Sequence, residues 1–245
     1  MLISRGQSLR LVSLSTGISR ATLRDWRDHP EGSQSLLRHC PRCAATPTLP
    51  EPAADYAYLL GQYLGDGCIS ATADAAKGVW SLRIACADAW PGVMAECKTA
   101  ISAIRPGNKV GTVQAVGCTV VVAYSRHWPC LFPQHGPGLK HNRKIELEPW
   151  QQTIAGRHPG AFARGLFHSD GCRFTNRVRR PLATGDRWYE YPRYMFTNES
   201  RDILEICGST LDQLGVSWRF SRRNTISVAR REAVARLDQF VGPKY

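Results

Sequence analysis

Two stretches of this chain repeat each other. YLLGQYLGDGC, from Tyr58 to Cys68, returns as AFARGLFHSDGC, from Ala161 to Cys172. The echo keeps its spacing. Asp66 and Asp170 lie 104 positions apart, as do Cys68 and Cys172, and Lys140 in GPGLKH and Lys244 in FVGPKY. Between those anchors TVVVAYSR (Thr119 to Arg126) parallels TISVARRE (Thr225 to Glu232) at an offset of 106. MAECKTAISAI (Met94 to Ile104) parallels ILEICGSTLDQL (Ile203 to Leu214), with Cys97 opposite Cys207. Ordered offsets that differ only by loop-sized shifts imply one duplicated unit of roughly a hundred residues, the size of a small domain. Such a chain folds as two similar halves, and whatever sits at the motif occurs twice.

Each unit shows the same order of patterns. An apolar helix ends in Asp-Gly. Two strands follow, GCISATA with VWSLRIACAD in the first unit and CRFTNRVRR with RWYEYPRYMFTN in the second. An amphipathic helix, two more strands and a closing helix complete it. The expected fold class is therefore α/β (α+β), with two αββαββα repeats at 51–147 and 148–245. Ahead of them, residues 1–50 form a small helical unit, joined through the Pro/Ala-rich linker AATPTLPEPAAD. Residues 8–28 read as a helix-turn-helix, with a recognition helix from Ser19 to Arg27 or, alternatively, a plain helical hairpin. RHCPRC places Cys40 and Cys43 as half of a structural Zn²⁺ site that His29 and His39 complete; two thiols in a turn is the alternative.

The charge balance narrows the partner. Net charge is +12 and the isoelectric point about 9.6. The spans 1–50, 51–147 and 148–245 carry +4, +2 and +6. Arginine dominates the last span and suits bidentate contacts to phosphate and guanine. Apolar residues make up 43% of the chain, enough for a core, and no apolar run is long enough to cross a bilayer. The nine cysteines form no disulfide framework and read as reduced thiols. These features point to double-stranded DNA as partner, no membrane, a monomer, and a cytoplasmic, nucleoid-associated location. The chain starts with Met and shows no terminal His-Asn splicing junction, so it reads as free-standing.

LLGQYLGDG and ARGLFHSDG resemble the two dodecapeptide motifs of single-chain LAGLIDADG homing endonucleases. The resemblance runs from about Tyr56 to Tyr245. It implies a DNA-binding saddle whose two motif helices pack together at its centre. Small residues four apart, Gly61 with Gly65 and Gly165 with Ser169, suit such an approach. Asp66 and Asp170 would then face each other at two helix C-termini, where carboxylates repel unless divalent cations lie between them. The resemblance makes both aspartates ligands of Mg²⁺ or another divalent cation, with the carbonyls of Gly65 and Ser169 beside them. It casts Lys140 and Lys244 as the basic residues near the metals, with a plain phosphate contact as the alternative. Leu64 and His168 stand where the family often has an acidic or polar residue; His168 reads as a packed histidine or a proton carrier.

Strand alternation selects the residues expected on the DNA face. In unit two these are Arg173, Arg177 and Arg179, then Arg187, Tyr189 and Arg193, then Arg219, Arg222 and Arg223. Unit one offers Lys77, Trp80, Arg83 and Lys109, and the bridge KHNRKIELEPWQ adds Arg143 and Lys144. The implied activity is site-specific, metal-assisted hydrolysis of double-stranded DNA with one aspartate per repeat. A non-cleaving transcriptional regulator on the same fold is the alternative, and a maturase-like RNA partner a third reading.

Overall fold

The structure is a computed structural model. It describes residues 8–16, 20, 23–24, 27, 50–72, 78–183 and 185–245. The expected recognition helix falls largely outside these residues, as do His29, His39, Cys40, Cys43 and Lys77. Of the N-terminal part, α1 spans Leu9–Thr16.

The first half runs α2 (Ala53–Asp66), β1 (Gly67–Ala71), β2 (Trp80–Ala87), α3 (Pro91–Ile104), β3 (Val110–Ala115), β4 (Cys118–Ser125) and the short α4 (Trp128–Leu131). After a 3-10 turn at Lys140–Asn142 and α5 (Pro149–Arg157), the second half repeats the order. It runs α6 (Pro159–Asp170), β5 (Gly171–Leu182), β6 (Gly185–Thr197), α7 (Arg201–Gln213), β7 (Arg219–Arg222), β8 (Thr225–Val228) and α8 (Arg231–Val241). Each half builds one antiparallel four-stranded sheet, ordered β1-β2-β4-β3 and β5-β6-β8-β7.

Antiparallel sheets with one wet face should alternate buried and exposed. Here one face of each sheet lies against helices. Leu82, Ile84 and Cys86 of β2 are buried there, as are Tyr194 and Phe196 of β6. Among the described residues the other face carries no helix. The helices α2 and α6 pack against each other between the sheets and are buried from Tyr56 to Leu64 and, apart from Arg164, from Phe162 to His168. Their crossing depends on absent side chains. A Cβ on Gly61 would lie 2.6 Å from the Leu166 nitrogen, and one on Gly165 would lie 2.1 Å from the Tyr58 carbonyl. One turn further on, a Cβ on Gly65 would meet the Ser169 side chain at 2.2 Å. The small-residue spacing thus does what helix packing requires of it: it lets two backbones touch.

The Asp-Gly ends have a steric cause. Gly67 and Gly171 leave the helix in extended conformation. A Cβ there would strike the Cα of Tyr63 at 2.5 Å and of Phe167 at 2.6 Å. Glycine lets the chain turn directly from helix into strand, which leaves each aspartate as the last helical residue.

Candidate active site

Asp66 and Asp170 end the two crossed helices, at the seam between the sheets. Asp66 keeps part of its surface exposed while its carboxyl is largely crowded by protein, and Asp170 is half-buried. Burial, then the charge of Asp170, pushes the Asp66 carboxyl up to about 6, against the pull of Lys140 and Lys244. Burial likewise raises Asp170, opposed by a hydrogen bond from Asn198 and by the same two lysines. Two carboxylates in mutual opposition at two helix C-termini form a cation-seeking centre. Beside them opens a cleft of about 390 Å³, lined among others by Gly65, Lys140, His141, Asp170 and Asn198. Among the described residues no group of three or more His, Cys, Asp and Glu converges as a metal site. The donor set is instead two carboxylates and nearby carbonyls, hard oxygens that fit Mg²⁺ or Ca²⁺ when phosphate and water complete the shell.

Both lysines reach this centre. The Lys140 ammonium donates to the carbonyls of Tyr63 at 2.6 Å, Leu64 at 3.0 Å and Gly65 at 2.7 Å. Lys244 donates to Ser169 at 3.3 Å and Gly171 at 2.6 Å. Each therefore places a cation against carbonyls at the end of a motif helix and offsets its negative dipole. Burial pushes Lys140 down to about 8 and also lowers Lys244. The carbonyls of Gly65 and Ser169 already accept from a lysine, and each keeps a second lone pair.

The two carboxylates differ in support. Asn198 donates to Asp170 at 2.6 Å. The matching ladder position in the first sheet, two residues beyond the partner of Gly67, is Cys86. Nothing in the repeated motif marks Asn198; it belongs to the β6–α7 junction, where the repeats diverge.

His168 is packed. Its Nδ1 faces the Tyr58 hydroxyl at 3.2 Å and its Nε2 the Val241 carbonyl at 3.2 Å. A carbonyl only accepts, so Nε2 carries the proton and Nδ1 accepts from Tyr58. Burial, then Arg164, pushes its pKa down to about 4, which keeps the ring neutral.

The strand register divides the residues expected on one face between two faces. Arg173, Arg177 and Arg179 pair with Tyr194, Glu190 and Trp188, the phase of the helix-covered side. Each has an acidic partner: Asp238 at 2.8 Å, Glu190 at 3.2 Å and Asp186 at 2.7 Å. Arg187, Tyr189 and Arg193 belong to the opposite phase, on the open face. Arg219 and Arg222 join them, opposite Ser227 and Thr225, because a bulge after Phe220 restores the phase. Arg180, which strand alternation passed over, sits directly across from Arg187 on this face. Like charges in direct opposition are destabilising unless an anion lies over them.

Other expected contacts also move. Trp80 shares the phase of Leu82 and Ile84 and packs edge-on to His135 at 5.2 Å, so it belongs to the helix-covered side. Arg83 takes the open face, and Lys109 is exposed just before β3. Arg143 spends its guanidinium on the carbonyls of Gln134, Pro137 and Gly138, where it holds the segment leading to Lys140. Lys144 pairs with Asp202 of α7 at 2.9 Å, and Arg223 with Glu199 at 3.3 Å. Among the described residues Arg83, Arg180, Arg187, Arg193, Arg219 and Arg222 have no ion pair.

Two pseudo-symmetric αββαββ halves crossed at their first helices are the fold of the LAGLIDADG homing endonucleases. A glycine-to-serine variant of I-DmoI in complex with its target DNA in the presence of Mg is similar to this chain at 14% identity and a TM-score of 0.50, over 79% of this chain and 98% of that one. I-DmoI in complex with DNA and Mn is 15% identical, with a TM-score of 0.47, over 79% and 99%. The LAGLIDADG meganuclease I-AabMI bound to uncleaved DNA is 13% identical, with a TM-score of 0.45, over 76% and 82%. At such identities the likeness concerns the fold. No family model matches the sequence, and no curated protein does.

Proposed function

We propose that this protein is a site-specific endonuclease of double-stranded DNA. The observation that carries the reading is the pairing of Asp66 and Asp170 at the ends of two touching helices, between two open sheet faces whose arginines lack acid partners. The paired carboxylates suit cations, and the arginines suit a polyanion. Asp66 and Asp170 would hold a divalent cation, and the carbonyls of Gly65 and Ser169 are further oxygen donors within the same motif ends. When bound, such a cation would supply charge neutralisation and a water of lowered pKa for phosphodiester hydrolysis.

The chain's own residues supply the rest. The crossed helices hold both acids at one seam, so one duplex spanning the saddle meets both. Lys140 and Lys244 keep a positive charge beside each acid and fix the helix end that presents it. Arg180, Arg187, Arg193, Arg219 and Arg222 on one side and Arg83 on the other bind the backbone and base edges. The N-terminal segment adds a further DNA-contacting module, and the protein acts as a monomer.

Incubation of a randomised duplex library with Mg²⁺ tests the assignment. Wild type cuts a narrow set of sequences; Asp66→Asn and Asp170→Asn bind the same set and cut at least about a hundredfold more slowly. Selective binding with no cutting by wild type would support a regulator instead. Cutting that survives the double substitution would remove the aspartates from the chemistry.

A further inference from the structure

The two lysines of the site are held in place by different means. The segment before Lys140 is fastened within its own half, by the Arg143 guanidinium on three of its carbonyls. Residues 241–245, which carry Lys244, are fastened to the other half. The Gly92 amide of α3 donates to the Tyr245 carbonyl at 2.6 Å, and the Tyr245 hydroxyl donates to Glu96 of α3 at 2.7 Å. Arg164 of α6 grips both oxygens of the same Glu96 carboxylate, at 2.8 and 2.6 Å. Its remaining arm donates to the Val241 carbonyl, which also accepts from His168 at 3.2 Å.

This cluster has the marks of a fitted joint. Arg164 and Glu96 are each about three-quarters buried, their side chains 24% and 25% exposed. The bidentate geometry fixes direction as well as distance. Gly92 leaves room for the Tyr245 ring, which a Cβ would meet at 2.1 Å. Gly242, at φ +65°, turns the chain between the Val241 and Tyr245 anchors in a conformation that a side chain disfavours. Lys244 lies between the two anchored ends and reaches the carbonyls of Ser169 and Gly171 from there.

We propose that Glu96, Arg164 and Tyr245 form a clamp across the two halves that positions Lys244 at the C-terminal end of the second motif helix. They are positioning residues and touch no substrate. The clamp makes half of the site conditional on docking against α3 of the other half, while Lys140 stays independent of it. Its catalytic consequence rests on the nuclease reading; its structural consequence does not.

Two measurements on the full chain separate these. In the first, lysines are acylated with an N-hydroxysuccinimide acetate and mapped by mass spectrometry, with exposed Lys109 as internal reference. Wild type protects Lys140 and Lys244. Glu96→Ala and Gly92→Val expose Lys244 severalfold while Lys140 stays protected, and Tyr245→Phe, which loses one hydroxyl and keeps the ring, gives a smaller exposure. In the second, each strand of a cleavable duplex carries its own label. The clamp variants cut one strand about 10- to 100-fold more slowly, as expected for a displaced catalytic group, with DNA affinity and the other strand unchanged. Lys244 protected as in wild type in Glu96→Ala and Gly92→Val, or Lys140 and Lys244 exposed together, overturns the clamp. Wild type that cuts neither strand removes the nuclease reading alone, and the acylation result then decides the clamp. Two strands slowed equally would overturn the assignment of the clamp to Lys244.

Discussion

Asp238 ties an arginine of the second sheet into the fold rather than leaving it free. It accepts from Arg173 at 2.8 and 3.0 Å and from the Tyr194 hydroxyl at 2.6 Å. The Arg173 bond holds its carboxyl below the usual value of 3.8, against some burial and with help from Tyr194. A depressed carboxylate contributes stability that is present above its ordinary pKa and lost as pH falls through the folded value. Asp238→Asn should therefore lower stability by about 1 kcal/mol or less at pH 7, because solvent screens an ion pair whose side chains are 42% and 35% exposed. The gap to wild type should close as pH drops from about 4 toward 2, read by thermal melting across that range. DNA affinity at pH 7 should stay unchanged, because Arg173 lies on the helix-covered phase. If Asp238→Asn weakens binding tenfold while its melting matches wild type, Arg173 faces DNA after all.

At the scale of elements, the helix pair was readable and the strand faces were not, for definite reasons. Glycines four apart have one use on a buried helix, and the repeat supplied both helices with the same spacing. The arm formed by β5 and β6 gave no such signal. Its strands run 12 and 13 residues, against 5 and 8 in β1 and β2, and extend past the helix layer. Neither face of that extension is buried, so both phases carry arginines and no apolar alternation tells them apart. Only the cross-strand register does, and that is set by the pairing of Leu182 with Gly185. Two substitutions test the elements. Gly165→Ala should cost about 3 kcal/mol or more, because the new Cβ meets backbone that cannot give way. Gly111→Ala, with nothing within 4 Å of the added Cβ, should stay within about 0.5 kcal/mol of wild type in the same urea titration. Removal of Arg180–Arg187, closed by a two-residue turn, should shorten the nuclease-protection footprint on one flank only and leave the melting temperature unchanged.

Across the whole molecule, charge and repeat order were legible from the chain, whereas the distribution of charge between the two faces was not. The net +12 is a sum over partners that cancel and partners that do not. Arginines on the helix-covered side meet Asp238, Glu190 and Asp186, and Lys144 meets Asp202. The open faces keep Arg83, Arg180, Arg187, Arg193, Arg219 and Arg222, five of them on the second half. An excess on one face acts on a duplex through counterion release, and each phosphate neutralised adds about −0.9 to the slope of log K against log salt. If all six contact phosphate, the slope is roughly −5. Arg187→Ala with Arg193→Ala should flatten it by about 2, while Arg177→Ala with Arg179→Ala, which breaks two surface ion pairs, should leave it as in wild type. The comparison needs only binding isotherms over a range of KCl, in Ca²⁺ or without metal, so it holds whether or not the protein cuts. Equal flattening by the two double variants would mean that the arm presents both faces to DNA, and that the duplex wraps the second half rather than resting on its open face.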